Sequence, residues 1–218
     1  MTRRVRFLAL PLMLLCNLAL AATPVVFEHP ATPAQLRVII AKAEQELARV
    51  PVLRGQFTQI KTLQEIPAPL KSTGRFIISR TQGIYWHTLT PFDSEFILTP
   101  TQMLQVDGGK VAVRIDAATQ PGLKVVGDVF FSIFNLDPAA LASNFTLYGM
   151  SAAKGWVMGL RPRNSALGSL LTEAVITGDR RVSKVNLLDA HGDRTEITLE
   201  NTTGTAALTP QEAALFHQ

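Results

Sequence analysis

RGQFTQIKTLQEIPAPLKSTGRFIISRTQGIYWHTLTPFDSEFILTPTQMLQVDGGKVAVRI, residues 54–115, is the stretch that decides the fold. Short β-type runs follow one another there. Between them stand residues with turn chemistry: Pro67 and Pro69, Gly83, Pro91-Phe92-Asp93, Pro100, and Asp107-Gly108-Gly109. The runs fall near 54–64, 72–80, 83–89, 94–99, 102–106 and 111–116. They are too closely spaced for helical crossovers, so neighbours pair antiparallel. In the second run Arg80 shares the parity of Phe76 and Ile78, and in the third Trp86 shares the parity of Ile84. Side chains alternate faces along a strand. The sheet therefore aims a guanidinium and a tryptophan at its apolar side, a surface shaped for something greasy.

Further strands are expected near 145–150, 155–162, 171–177, 181–188 and 193–200, with tight turns at Gly178-Asp179 and His191-Gly192-Asp193. Trp156, Met158 and Leu160 share one parity, as do Val111, Val113 and Ile115, while Arg114 and Arg161 take the other, solvated one. A sheet of about eleven strands twists and curls. Two segments are available to cover it. Thr32, Pro33 and Gln35 form a capping box that starts a helix over 33–49, with Leu36, Ile40, Ala43, Leu47 and Val50 on one face and Pro51 as its stop. Val125–Leu136 is apolar nearly all round and longer than a typical strand, which favours a helix over a buried strand. Asp137-Pro138 then starts another, and Thr209-Pro210 caps a last helical turn. Curled sheet plus little helix suggests a hollow, although a simply packed core fits the same pattern. Residues 22–31 read as a loose leader, and Arg161 and Arg163 beside Pro162 as a solvated turn.

The N-terminus sets the compartment. Arg3, Arg4 and Arg6 precede an apolar run, Phe7–Leu20, and Ala19-Leu20-Ala21 supplies small residues for a signal peptidase. Residues 1–21 are expected to be a cleaved signal peptide and 22–218 a single periplasmic domain. An uncleaved anchor is the alternative; a lipoprotein signal at Cys16 is disfavoured because Leu15 precedes it. Cys16 is the lone cysteine, so the exported domain relies on its core without a disulfide. The chain holds 21 Lys and Arg against 17 Asp and Glu; removing the three leader arginines leaves 18 against 17. The high isoelectric point thus belongs mostly to the leader, and no nucleic-acid partner is expected.

Enzyme readings find little support. His29, His87, His191 and His217 lack partners at metal-site spacing, so no metal or cofactor is expected. There is no G-x-S-x-G elbow and no phosphate loop. Asp107, Asp179 and Asp193 sit where turns need such residues.

RGQFTQ at 54–59, the run ending in Arg80, Ile84-Tyr85-Trp86 before Pro91, and VDGGKV at 106–111 together resemble the bacterial periplasmic lipoprotein carriers, the LolA-like family. The resemblance is firm over 54–115, and the order of elements agrees throughout. It implies an α+β, mainly β fold: an incomplete β-barrel whose apolar cavity is covered by helices. It implies an acylated lipoprotein or lipid as cargo, an inner-membrane donor complex, an outer-membrane acceptor, and a monomer. Phe76, Ile78, Arg80, Ile84, Trp86, Phe130, Ile133 and Phe134 would line the cavity and lid, although both tryptophans and the three lid residues also read as ordinary core. Alone, Arg80 reads as a strand-end surface residue. The resemblance implies instead that it bonds the lid until cargo opens it. Two departures mark a divergent member: Thr81 follows Arg80 where the family has proline, and Gln218 comes soon after the last strand where the best-known carriers extend. A cargo other than theirs, another lipid, fits these departures. The alternative is a lipid-sensing interaction module on the same fold, which binds a protein partner without transport. Such sensors carry an extra domain or tether, and neither is legible here.

Overall fold

Strand β1 (Val52–Thr62) organises the sheet, because it pairs antiparallel with both β2 (Leu70–Ser79) and β11 (Arg194–Thr205). One meander runs from β2 through β3 (Gly83–Thr90), β4 (Ser94–Leu98) and β5 (Gln102–Asp107) to β6 (Lys110–Asp116). The other runs from β7 (Phe145–Ala152) through β8 (Gly155–Pro162), β9 (Leu171–Gly178) and β10 (Val182–Asp189) to β11. The computed structural model describes residues 24–119 and 131–217. Its strand order, β6-β5-β4-β3-β2-β1-β11-β10-β9-β8-β7, gives one antiparallel sheet with all eleven expected strands. Strands β6 and β7 are the two edges, so the curled sheet stays open.

The expected first helix is two: α1 (Pro33–Ile39) and α2 (Ala41–Arg49). The Thr32–Gln35 capping box forms as read. The break at Ile40 ends a run of three β-branched residues, Val38-Ile39-Ile40, the weakest helix formers in the segment. It lets Leu36, Ile40, Ala43 and Leu47 all reach the curved sheet, where each is buried. Of the apolar run 125–136, residues 131–134 are helical; residues 125–130 lie outside the described residues, as does the leader through residue 23. Asp137 caps α3 (Pro138–Asn144) through the amides of Ala139 and Ala140. A short α4 (Ser165–Gly168) follows β8, and α5 (Pro210–Ala214) closes the chain with a second capping box, Thr209–Glu212. No helix among the described residues is long and apolar enough to cross a membrane.

Each face of the sheet has its own core. The inner face packs Leu53, Phe57, Phe76, Ile78, Trp156 and Met158 against α1, α2 and α3. The outer face is smaller: Val52, Ile77, Tyr85, Ile97 and Leu104 close around Phe216 from the C-terminal segment.

Three readings are corrected here. The leader is not loose from residue 24 on. Val25–Glu28 forms a 3-10 turn that buries Val26 and Phe27 against β7 and β8, and Pro30 bridges to Tyr148 at the β7 edge. Arg161 is no solvated turn residue: it lies over the Phe27 ring at 4.1 Å and pairs with Glu173 at 3.0 Å. Val111 and Val113 do not share a face. Val113 pairs with Gln105 and Val111 with Val106, so Ala112 is the extra residue of a β-bulge, which inverts the parity beyond it.

Candidate functional site: an apolar seam under helices tied at its rim

The inner face is built from cross-strand pairs. Phe76 opposes Trp86 and Ile78 opposes Ile84 across β2 and β3, with the shared parity that the sequence implies. The Trp86 ring stacks on Phe57 at 3.9 Å and lies 5.9 Å from Phe76. Two glycines make the trough for these rings. Gly74 opposes Phe57 and Gly55 opposes Phe76 across β1 and β2. A Cβ on Gly55 would stand 2.7 Å from the Phe76 ring, and one on Gly74 would stand 2.7 Å from Phe57.

The helices complete the seam. Ile133 is buried in the inner core, and Phe134 packs against it; Phe130 lies outside the described residues. Between Phe134, Leu47 of α2 and the sheet residues Leu53, Phe76 and Ile78 remains a cleft of only about 10 Å³. That is space for about one water at most. Side chains of the helices fill the space over this part of the sheet.

Polar contacts hold α2 down on two sides. Arg80 lies just past β2, exposed at the rim of the seam rather than inside the apolar face. The chain turns there, its amide bonded to the Pro51 carbonyl at 3.0 Å. Its Nη1 donates to the carbonyl of Leu47, in the last turn of α2, at 3.5 Å. On the other side Arg181 donates from Nη2 to Glu46 Oε1 of α2 at 2.6 Å, and from Nη1 to the Thr202 carbonyl at 2.8 Å. Thr202 is presented by an irregularity in β11, where Asn201 takes a left-handed φ of 51°. The buried Nε of Arg181 has no acceptor. Sequence reasoning missed Arg181. Its one signal was a cation just before β10, second after the Gly178-Asp179 turn, and its partner stands 135 residues away.

The outer face carries a second arginine contact. Arg54 of β1 grips the Glu212 carboxylate of α5, with Nη2 to Oε2 at 2.6 Å, and also reaches the Ala207 carbonyl at 3.2 Å. Hydrogen bonding from Arg54 holds the Glu212 carboxyl down at about 2. Nearby, His87 Nδ1 accepts from Arg75 Nε at 3.3 Å, so Nε2–H donates to Asp93 Oδ1 at 2.6 Å. Burial pushes the neighbouring Tyr85 hydroxyl up from its ordinary value. These groups join strands and turns of the outer face. Among the described residues no cluster of three His, Cys, Asp or Glu side chains could hold a metal.

The family model described as outer membrane lipoprotein carrier protein LolA matches residues 48–216. Among solved structures, a LolA-superfamily protein from Nitrosomonas europaea is similar at 9% identity, covering 81% of this chain and 96% of that one, with a TM-score of 0.43. The MucA/MucB complex of Pseudomonas aeruginosa is similar at 15% identity, over 82% and 60%, with a TM-score of 0.47. The lipoprotein LppX of Mycobacterium tuberculosis is similar at 6% identity, over 82% and 100%, with a TM-score of 0.39. No curated protein matches the chain.

Proposed function

Because the chain belongs to the outer membrane lipoprotein carrier (LolA) family, we propose that it is a periplasmic carrier. It shields the acyl chains of a lipoprotein or another lipid between its inner face and its helices, and moves that cargo towards the outer membrane. The observation that carries this reading is the apolar seam itself: an aromatic and aliphatic sheet face, covered by helices that Arg80 and Arg181 tie at their rim.

The energetics suit a carrier. Each acyl methylene exposed to water costs about 0.8 kcal/mol, so a lipid cannot cross an aqueous space unshielded. A carrier must also let go. Here Leu47 and Phe134 pack where cargo would lie. Each such side chain that cargo displaces into water gives up about 1.5–3 kcal/mol of burial. Net affinity is the difference between two apolar contacts, and a membrane, which has no lid to displace, wins the cargo back.

Transfer of a fluorescent lipid between two vesicle populations tests this. The exported chain is expected to speed exchange in proportion to its concentration. Binding without faster exchange would support the lipid-sensing alternative. Absence of binding, together with no acyl cargo in solvent extracts of natively purified protein, would sink the carrier reading.

A further inference from the structure

A wider cleft of about 450 Å³, open to solvent, adjoins the apolar one and shares Val182, Leu199 and Thr202 with it as common wall. Its polar lining is cationic: Lys154, Arg180 and Arg181 stand there against one carboxylate, Asp179. The turn that presents both arginines is fixed. The Asp179 amide donates to the Arg181 carbonyl at 3.2 Å, and the Asp179 carbonyl accepts from Nε1 of the core residue Trp156 at 2.7 Å. Lys154 and Arg180 are exposed, which leaves them available to a ligand. Arg181 is committed to Glu46 of the lid, yet its buried Nε lacks an acceptor, an unfavourable arrangement for a donor out of water.

We propose that this mouth binds the anionic head of the cargo, a phosphate or carboxylate carried on an acylated molecule, whose chains pass under α2. The inference rests on the carrier reading above and adds the charge of the cargo to it. Guanidinium groups bind such anions through paired, charge-assisted hydrogen bonds. The head supplies Arg181 with oxygen acceptors, and Arg181 exchanges Glu46 for it. That exchange releases one side of α2 as the chains arrive, so the same arginine recognises the head and unlatches the lid. Lys154 and Arg180 attract the head to the mouth.

The test compares two fluorescent lipids with identical acyl chains, phosphatidylglycerol and diacylglycerol, binding to the purified exported chain. Phosphatidylglycerol is expected to bind about tenfold more tightly at low salt, with the preference shrinking as salt screens it. The double variant Lys154→Gln with Arg180→Gln should bring that preference within about threefold and leave diacylglycerol affinity unchanged. Glu46→Gln, which weakens the latch, should raise affinity for both lipids. Inorganic phosphate at millimolar concentration should not displace phosphatidylglycerol. Equal affinity for the two lipids in the native chain would overturn the head site and leave the carrier reading standing. Binding of neither would overturn both. Displacement by inorganic phosphate alone would reduce the mouth to a simple anion site and overturn the lipid assignment.

Discussion

Gly74 shapes the apolar face by having no side chain. A Cβ there would sit 2.0 Å from the His87 carbonyl oxygen, inside the β2–β3 ladder, as well as against the Phe57 ring. Gly74→Ala is therefore expected to destabilise the fold by about 1–3 kcal/mol, as overpacked cores do, and to disturb the Phe57–Trp86 stack; denaturant melts followed by tryptophan fluorescence would register both. The two arginines that contact α2 differ in commitment. Arg80 makes a single long bond to a carbonyl, whereas Arg181 pairs with a carboxylate at 2.6 Å. If both restrain α2, Arg181→Leu should increase retention of a neutral diacylglycerol, which has no anionic head to lose, during transfer to acceptor vesicles more than Arg80→Leu does. Equal retention in the native chain and both variants would mean that neither latches the lid. Arg80 was legible because period-two alternation ties it to Phe76 and Ile78. Its exposure was not, since parity says which face a residue takes and not how far beyond the strand end it stands.

Elements show the competition between lid and stability most directly. Leu47 lies on the buried side of α2 and walls the small cleft. Leu47→Ala should cost about 2–5 kcal/mol of stability while enlarging the room for an acyl chain, so thermal melts should fall as lipid affinity rises. A fall in both would argue that cargo does not use this seam. The C-terminal segment does the opposite task, sealing the outer face with Phe216 and clamping α5 to β1 through Arg54 and Glu212. The Glu212 carboxyl, ordinarily near 4.5, is held at about 2 in the fold. A carboxyl depressed on folding contributes stability above the ordinary value and loses it as pH falls through the depressed one. The pair is partly solvated, so its contribution is about 1 kcal/mol after screening. Glu212→Gln should then lower the melting temperature at pH 7, and the gap from the native chain should close between about pH 4.5 and pH 2. A gap independent of pH would show that the carboxylate is not what holds α5. The Thr32–Gln35 capping box and the Thr209 cap were readable because capping acts within one helical turn. The break at Ile40 was not, because the Val38-Ile39-Ile40 run only weakens the helix there, and the curvature of the sheet beneath decides that it breaks.

Across the whole molecule, the pairing of β1 with β11 is the long-range join that makes one sheet of two local meanders. Amides in this central ladder should exchange with deuterium only through global unfolding, whereas those of α1 and α2 should exchange through a cheaper local opening that bound lipid alters. Uniform protection of helices and sheet would argue against a moving lid. The sequence by itself determined the eleven strands, their turns, the caps and the apolar parity of Phe76, Ile78, Ile84 and Trp86, because alternation, capping and turn chemistry act over a few residues. Only the tertiary structure decided the rest: that β1 meets β11, that Ala112 bulges and separates Val111 from Val113, that Phe216 fills the outer face, and that Arg181 reaches Glu46 across 135 residues. Contacts between distant segments depend on how the sheet curls and where each strand lands, and no local pattern of residues encodes a distance that the chain must first fold to create.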